Sequence, residues 1–272
     1  MIATALDRAW RVVFTGSSFL FFFLGGIFLS YVALPVLSLL VREPGARARL
    51  CRRAVQRTWV LFHDYMRFTR LLRYDPRRVE LDLPRRPFVL VSNHPTLVDV
   101  TALAAAVPDL VVVAKRSMMK NFMVGPLLRR CRHIDAGDGS TFAGVNVFEQ
   151  ALCHLRAGTP VLLFPEGTRS PERGLGEFRL GAFQIAARAG VPLVPLLLRC
   201  EPPTLMRGQP WYRIPERTAV LSVGQLPLVR PGGERPEELA RAVRERYLAA
   251  LGLPAEAGAL QEVEALPAVS GG

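Results

Sequence analysis

Lysine is almost missing from this chain. Of 272 residues only Lys115 and Lys120 are lysines, so the formal charge of +12 is carried almost entirely by arginine. Surplus arginine suits nucleic acid, anionic lipid or a phosphorylated substrate. Aromatic and basic residues are not interleaved as single-strand binders require, and no nucleic-acid-binding motif accompanies the charge, so no nucleic-acid partner is expected. Cysteine is scarce and scattered. Cys51, Cys131, Cys153 and Cys200 form no Cys-x-x-Cys pair, which excludes a zinc ribbon or a disulfide scaffold, fits a reducing compartment, and leaves all four as small apolar residues. His63, His133 and His154 have no partner at metal-ligand spacing; they are read as structural or surface residues, and no metal is implied. A Gly-x-Ser-x-Gly elbow is absent, so a covalent serine mechanism has no visible nucleophile, and there are no internal repeats.

Charge is also missing from Val12 to Val41. About 20 apolar residues cross a bilayer as a helix, so this run is long enough with some to spare. It lacks the short apolar core and cleavage site of a signal peptide. Gly25-Gly26 and Pro35 interrupt it, which is compatible with a kinked span or a re-entrant helical hairpin. Arg42, Arg47, Arg49, Arg52, Arg53 and Arg57 follow at once, which puts the rest of the chain on the cytoplasmic face of the inner membrane. Leu50, Val55, Trp59, Phe62, Met66, Thr69 and Leu72 then recur at helical spacing. This basic amphipathic helix either lies on the anionic leaflet, with Trp59 and Tyr65 at headgroup depth, or packs on the domain that follows.

The chain therefore divides into a membrane helix or hairpin plus amphipathic helix at 1–75, a domain at 76–252 and a flexible tail at 253–272, with a linker at 75–87. Strand signals at 88–92, 110–114, 161–164, 193–198 and 219–223 alternate with helical patterns at 96–107, 118–130, 142–156 and 181–189. Pro236 opens a final helix with Leu239, Val243, Tyr247 and Leu251 on one face. The expected fold is α/β: a central, largely parallel or mixed sheet flanked by helices, with the membrane-associated helical element in front. Ligands of such sheets sit beyond the carboxyl ends of the strands.

Two motifs fall there. His94 follows the strand ending at Ser92-Asn93, and Asp99 lies five positions on. That spacing does not share a face of a regular helix, but the two meet if the chain turns sharply at Pro95. Asp99 would then hold one ring nitrogen of His94 and leave the other to act as a general base. The second motif is Phe164-Pro165-Glu166-Gly167-Thr168-Arg169-Ser170. Gly167 lets backbone approach an anion, Thr168 offers a hydroxyl and Arg169 a planar fork for phosphate, while Glu166 either binds a substrate hydroxyl or fixes the loop by pairing with an arginine.

These motifs in this order resemble the lysophospholipid (glycerolipid) acyltransferase superfamily. The likeness spans about 88–200: Asn93-His94 through Asp99, Ala114-Lys115-Arg116 with Gly125, Phe164 through Ser170, Phe178-Arg179-Leu180-Gly181-Ala182, and Val191-Pro192-Leu193-Val194-Pro195. The resemblance implies acyl transfer from acyl-CoA or acyl-carrier protein to a lysophospholipid hydroxyl, such as that of 1-acylglycerol-3-phosphate, without a further cofactor. His94 takes the proton and Asp99 orients it. Glu166, Gly167, Thr168 and Arg169 hold the acceptor, Lys115 contacts anionic substrate, and Val191 to Pro195 line the acyl channel.

One departure stands out. The family's second block usually ends Ile-Asp-Arg, whereas this chain reads His133-Ile134-Asp135-Ala136, with Arg130 and Arg132 as nearby substitutes. That pattern, with Pro202-Pro203-Thr204-Leu205 and Trp211-Tyr212-Arg213-Ile214-Pro215, resembles superfamily members of aryl-polyene-like lipid pathways. A different acceptor, an amino-acid lipid or a polyene lipid, is the second reading. A membrane-bound lipid-binding scaffold that has lost catalysis is the third.

Overall fold

The apolar run forms one long helix. In the computed structural model, which describes residues 2–85, 87–172 and 174–254, α1 (Ile2–Phe28) passes through a π-helical turn at Leu29–Ala33 into α2 (Leu34–Leu39). Pro35 has no N–H to donate and its ring crowds the preceding turn, which the wider π turn absorbs. Gly25 and Gly26 lie inside α1, so the expectation of a re-entrant hairpin there is corrected to a continuous helix. Gly26 serves close approach instead: a Cβ there would sit 2.8 Å from Val124 Cγ1.

α3 (Pro44–Phe68) runs back beside that helix. Tyr65 meets Ser17 at 2.5 Å, Trp59 stacks on Phe22, and Leu29 and Leu34 share an apolar cluster with Cys51 and Val55. Its buried positions include Ala48, Cys51, Val55, Phe62 and Met66, the spacing of one helical stripe. Thr69 caps the helix and Leu72 has left it, so the helical pattern stops short of both. Trp59 and Tyr65 thus face α1, and the helix packs on the domain that follows.

Among the described residues the sheet has seven strands: β1 (Leu72–Arg73), β2 (Val89–Ser92), β3 (Val111–Ala114), β4 (Ile134–Asp135), β5 (Val161–Leu163), β6 (Leu193–Glu201) and β7 (Ala219–Gln225). Their order is β1-β7-β6-β2-β5-β3-β4, parallel throughout except where β6 meets β7. β1 pairs with β7 although it precedes residue 76, so the sheet draws on the N-terminal segment as well. Alternation along the strands divides the core. Val89, Val91, Val161 and Leu193 face one side, under α8 (Gly181–Ala189) and α9 (Pro236–Leu251). Leu90, Val112, Leu162 and Val194 face the other, under α3 and α4 (Asp99–Ala106). Burial on both faces explains why β2, β5 and the start of β6 read as unbroken apolar runs.

The helical pattern expected at 118–130 is two pieces, α5 (Arg116–Lys120) and α6 (Gly125–Arg130). Asn121 Oδ1 accepts the Met123 and Val124 amides, and Pro126 cannot donate to continue a helix across the gap. Of the four cysteines read as small apolar residues, Cys51, Cys131 and Cys200 are buried, while α7 (Thr141–Arg156) leaves Cys153 exposed; all four are free thiols. The tail expected from 253 lies, from 255 onward, outside the described residues.

A segment at 202–218, between β6 and β7, straps the long helix to the sheet. Arg11, buried in α1, donates to the Pro215 and Glu216 carbonyls at 2.8 and 2.7 Å, and Trp211 packs on Phe19 and against Gly16. Farther along, Ser30 donates to Met123 O and Tyr31 to Phe122 O. The helix is thus fastened to the α/β domain over most of its length.

Candidate active site

The chain turns sharply between Pro95 and Val98, and α4 starts only at Asp99. This brings His94 Nδ1 to 2.9 Å from Asp99 Oδ2. Asp99 is fully buried and also accepts the Thr96 amide at 2.7 Å and the Thr96 hydroxyl at 2.5 Å. Burial pushes its carboxyl pKa up, and the donors from His94 and Thr96 oppose that. Three donors and a place in the first turn of α4 favour the carboxylate, which in turn selects the tautomer with the proton on Nδ1. The ring stacks on Phe164 at 4.3 Å, and Nε2 has no protein partner among the described residues. The dyad therefore offers one unprotonated, oriented nitrogen to a hydroxyl.

Beside it lies the loop after β5. Glu166 Oε1 accepts the His94 amide at 3.1 Å and the Ser170 hydroxyl at 2.7 Å, while Oε2 accepts the Gly176 amide at 2.8 Å. Ser170 returns its own amide to His94 O. Glu166 is buried, and that burial raises its pKa against the pull of these donors. It clasps the two motifs together and pairs with no arginine among the described residues.

Gly167 is left-handed, with φ +66°, and a Cβ there would lie 2.9 Å from Arg179 Nε. Thr168 and Arg169 are half-buried in a cleft with Arg179 and Arg207. Arg169 is not a free fork as expected: its Nη1 donates to the Leu205 and Met206 carbonyls, both at 3.0 Å. Lys115 is exposed at the end of β3, two strands from β2. Ala136 continues β4, its amide bonded to Ala114 O. Neither proposed stand-in lines the cleft: Arg130 donates to Ser30 O, and Arg132 occupies the exposed turn after α6.

The residue pattern of the Acyltransferase family matches residues 74–199. A 1-acyl-sn-glycerol-3-phosphate acyltransferase of Chlamydomonas reinhardtii is 32% identical over 121 residues, 44% of this chain and 36% of that protein. The enzyme of that name from Pseudomonas aeruginosa is 30% identical over 170 residues, 62% of each chain. The chain belongs to the lysophospholipid acyltransferase superfamily. Its alignment spans about a third of the first curated relatives, 36%, 33% and 32% of their lengths. Across the whole fold, the superfamily member resembles the crystal structure of the 1-acyl-sn-glycerophosphate (LPA) acyltransferase PlsC from Thermotoga maritima. The TM-score is 0.66 at 20% identity, covering 92% of this chain and 96% of that one.

Several residues of this acyltransferase-family site were not singled out from sequence. Thr96 and Ser170 lie inside the two motifs, and their hydroxyls were the available signal. Asn93 exchanges two hydrogen bonds with the Leu198 backbone, at 2.9 and 2.8 Å, and so extends the β2–β6 pairing up to His94. Arg207 carries no motif at all; only the strap brings it to the cleft.

Proposed function

We propose that this protein transfers a fatty acyl group from acyl-CoA or acyl-carrier protein to the hydroxyl of a lysophospholipid such as 1-acylglycerol-3-phosphate. The observation that carries the reading is the His94–Asp99 pair, joined through Glu166, which accepts the His94 amide, to an arginine-lined cleft. His94 Nε2 takes the hydroxyl proton as the oxygen attacks the thioester carbonyl; the C–S bond then breaks, and the imidazolium returns that proton to the departing thiolate. Asp99 stabilises the imidazolium in between. Glu166 holds the dyad's backbone, Gly167 gives the arginines room, Thr168 and Arg169 face the acceptor, and Lys115, exposed at the end of β3, meets anionic substrate. The 1-acyl-sn-glycerol-3-phosphate acyltransferases among the relatives support a glycerolipid acceptor.

Membrane attachment is through the long helix, lying in the interface plane rather than across the bilayer. Residues 6–39 are apolar enough to span. However, Arg11, Ser17, Ser30 and Tyr31 tie this helix sideways to the domain, and a transverse span would break those contacts. The outward face supports this: Leu6, Val13, Leu20, Leu24 and Phe28 recur at four- or seven-residue intervals and form an exposed apolar stripe along the helix. The arginines of α3 favour the anionic cytoplasmic leaflet of the cell membrane.

The second reading keeps the chemistry and changes the acceptor to an amino-acid or polyene lipid, and Ala136 is the observation that favours it. One acceptor screen with purified full-length protein, using labelled acyl-CoA and acyl-carrier protein, separates the two. Transfer to 1-acylglycerol-3-phosphate is expected, and His94→Ala should cut it by about 10²–10⁴ while vesicle binding persists. Transfer to no hydroxyl acceptor, or an active His94→Ala protein, would sink the proposal.

A further inference from the structure

The cleft at Glu166 has a volume of about 300 Å³ and brings together three guanidinium groups, two from the connection between β5 and α8 and one from the strap. Arg169 belongs to the loop after β5, and part of its fork is spent on the Leu205 and Met206 carbonyls. Arg179 is stitched to that loop through its amide, which donates to Pro165 O at 2.8 Å, and its guanidinium covers Gly167. Arg207 comes from the strap, directly after the carbonyl that Arg169 holds. Among the described residues neither Arg179 nor Arg207 has a side-chain hydrogen bond or ion pair. Two carboxyls share the cleft. Both Glu166 oxygens are engaged by His94, Ser170 and Gly176, and Glu177 is exposed to solvent at the rim, so the three arginines outnumber the two carboxyls.

We propose that Arg179 and Arg207 form the anion clamp of this site and bind the phosphomonoester of the acceptor, in place of the arginine that Ala136 replaces. The inference rests on the acyl-transfer reading for the identity of the ligand. A phosphomonoester presents three terminal oxygens and a double charge, which suits two unpaired forks; a phosphodiester presents two oxygens and a single charge. Coenzyme A also carries a phosphomonoester, but the pantetheine arm separates it from the thioester. The cleft instead adjoins Glu166, which holds the His94 amide, and a glycerol phosphate places its charge a few bonds from the hydroxyl that His94 must deprotonate.

The test is binding of sn-glycerol 3-phosphate to the detergent-solubilised full chain, followed by ³¹P NMR, in parallel with acyl-transfer kinetics. Arg179→Ala and Arg207→Ala should each weaken binding at least about tenfold, about 1.4 kcal/mol. KM for the phosphorylated lysolipid should rise by a similar factor, with KM for acyl-CoA and transfer to neutral monoacylglycerol unchanged. Arg207→Lys should recover part of the loss, and thermal unfolding of each variant shows that the fold is intact. Unchanged binding in both variants overturns the proposal, as does an equal loss on the neutral acceptor. Displacement of glycerol phosphate by free coenzyme A overturns the assignment to the acceptor. Arginine-dependent binding without acyl transfer to any acceptor would sink the function and leave the clamp standing; transfer with arginine-independent binding would do the reverse.

Discussion

His94 and Glu166 stand opposite each other across the ends of β2 and β5. They are 72 residues apart, the same offset that pairs Val89 with Val161, and Glu166 Oε1 accepts the His94 amide at 3.1 Å. The strand register, carried past the last paired position, thereby brings the two motifs into one site. Glu166 acts on His94 through its backbone rather than its ring, which makes it a positioning residue.

Glu166→Ala strips the acceptor from the Gly176 amide and the Ser170 hydroxyl at a buried position, and leaves the His94 amide only Ser170 Oγ, at 3.1 Å. Leaving such donors unsatisfied costs about 1–3 kcal/mol each where water cannot enter. The variant should lose stability of that order in urea unfolding, and kcat should fall more than KM rises. Glu166→Gln keeps one oxygen and should fall between the two proteins.

Asp99→Asn tests the tautomer. An amide facing Nδ1 can donate rather than accept, which moves the ring proton to Nε2 and removes the base. Acyl transfer should drop by about 10²–10⁴, with a much smaller effect on KM for either substrate. Near-wild-type turnover would show that Asp99 does not set the ring.

Gly167→Ala should cost about 1 kcal/mol through its left-handed φ of +66°, and its Cβ would displace Arg179. Thermal unfolding measures the first effect. A rise in KM for the phosphorylated acceptor beyond what the lost stability explains measures the second.

Arg52→Ala breaks a buried ion pair. Arg52 and Asp109 meet at 2.7 Å, both almost fully buried, and Arg52 also donates to Cys131 O at 2.9 Å. Removing the guanidinium from this buried carboxylate should destabilise the protein by about 3–5 kcal/mol. A loss far below that value in equilibrium unfolding would show that the other partners of Asp109 hold its charge without Arg52.

Moderate acid should weaken the fold through His63 and His133. Burial holds their pKa values down to about 4 and about 3, against an ordinary 6.5. His133 Nδ1 accepts the Val112 amide, and the Thr101 hydroxyl beside His63 Nε2 already donates to Val98 O, so both rings are fitted as neutral. Below pH 6.5 the unfolded chain protonates these histidines while the folded one does not. Stability therefore falls as pH drops from 6.5 towards 4, by about 1.4 kcal/mol per pH unit for each ring. Asp99 and Glu166, raised by burial, act in the opposite sense once pH falls below their folded values. Comparing wild type with His63→Gln in urea at pH 7, 6 and 5 isolates the histidine: the variant should show the shallower dependence.

Much of this was legible in the chain. Five strands, the helices at 142–156 and 181–189, and the sharp turn joining His94 to Asp99 follow from short apolar runs, helical periodicity and Pro95. β1 and β4 are two residues each, too short to show any period. The break in 118–130 was written in Asn121 and Pro126, but an apolar pattern running through both concealed it. The long helix was plain as an apolar run; its lateral attachment through Arg11 and Ser30 was not, because the receiving carbonyls of Pro215, Glu216 and Met123 carry no sequence signature.

By itself, then, the sequence determined the chemistry available: a histidine with its carboxylate, an anion-seeking loop, an arginine excess and an apolar helix of sufficient length. These depend on residue type and near-neighbour spacing, which a chain carries openly. Only the tertiary structure decided how the pieces are used. Parallel pairing of β2 with β5 set Glu166 against the His94 amide, Arg169 was partly spent on the strap's carbonyls, and the strap brought Arg207 to Arg179. Such contacts depend on strand register and on backbone groups that every residue shares, so no local pattern encodes them.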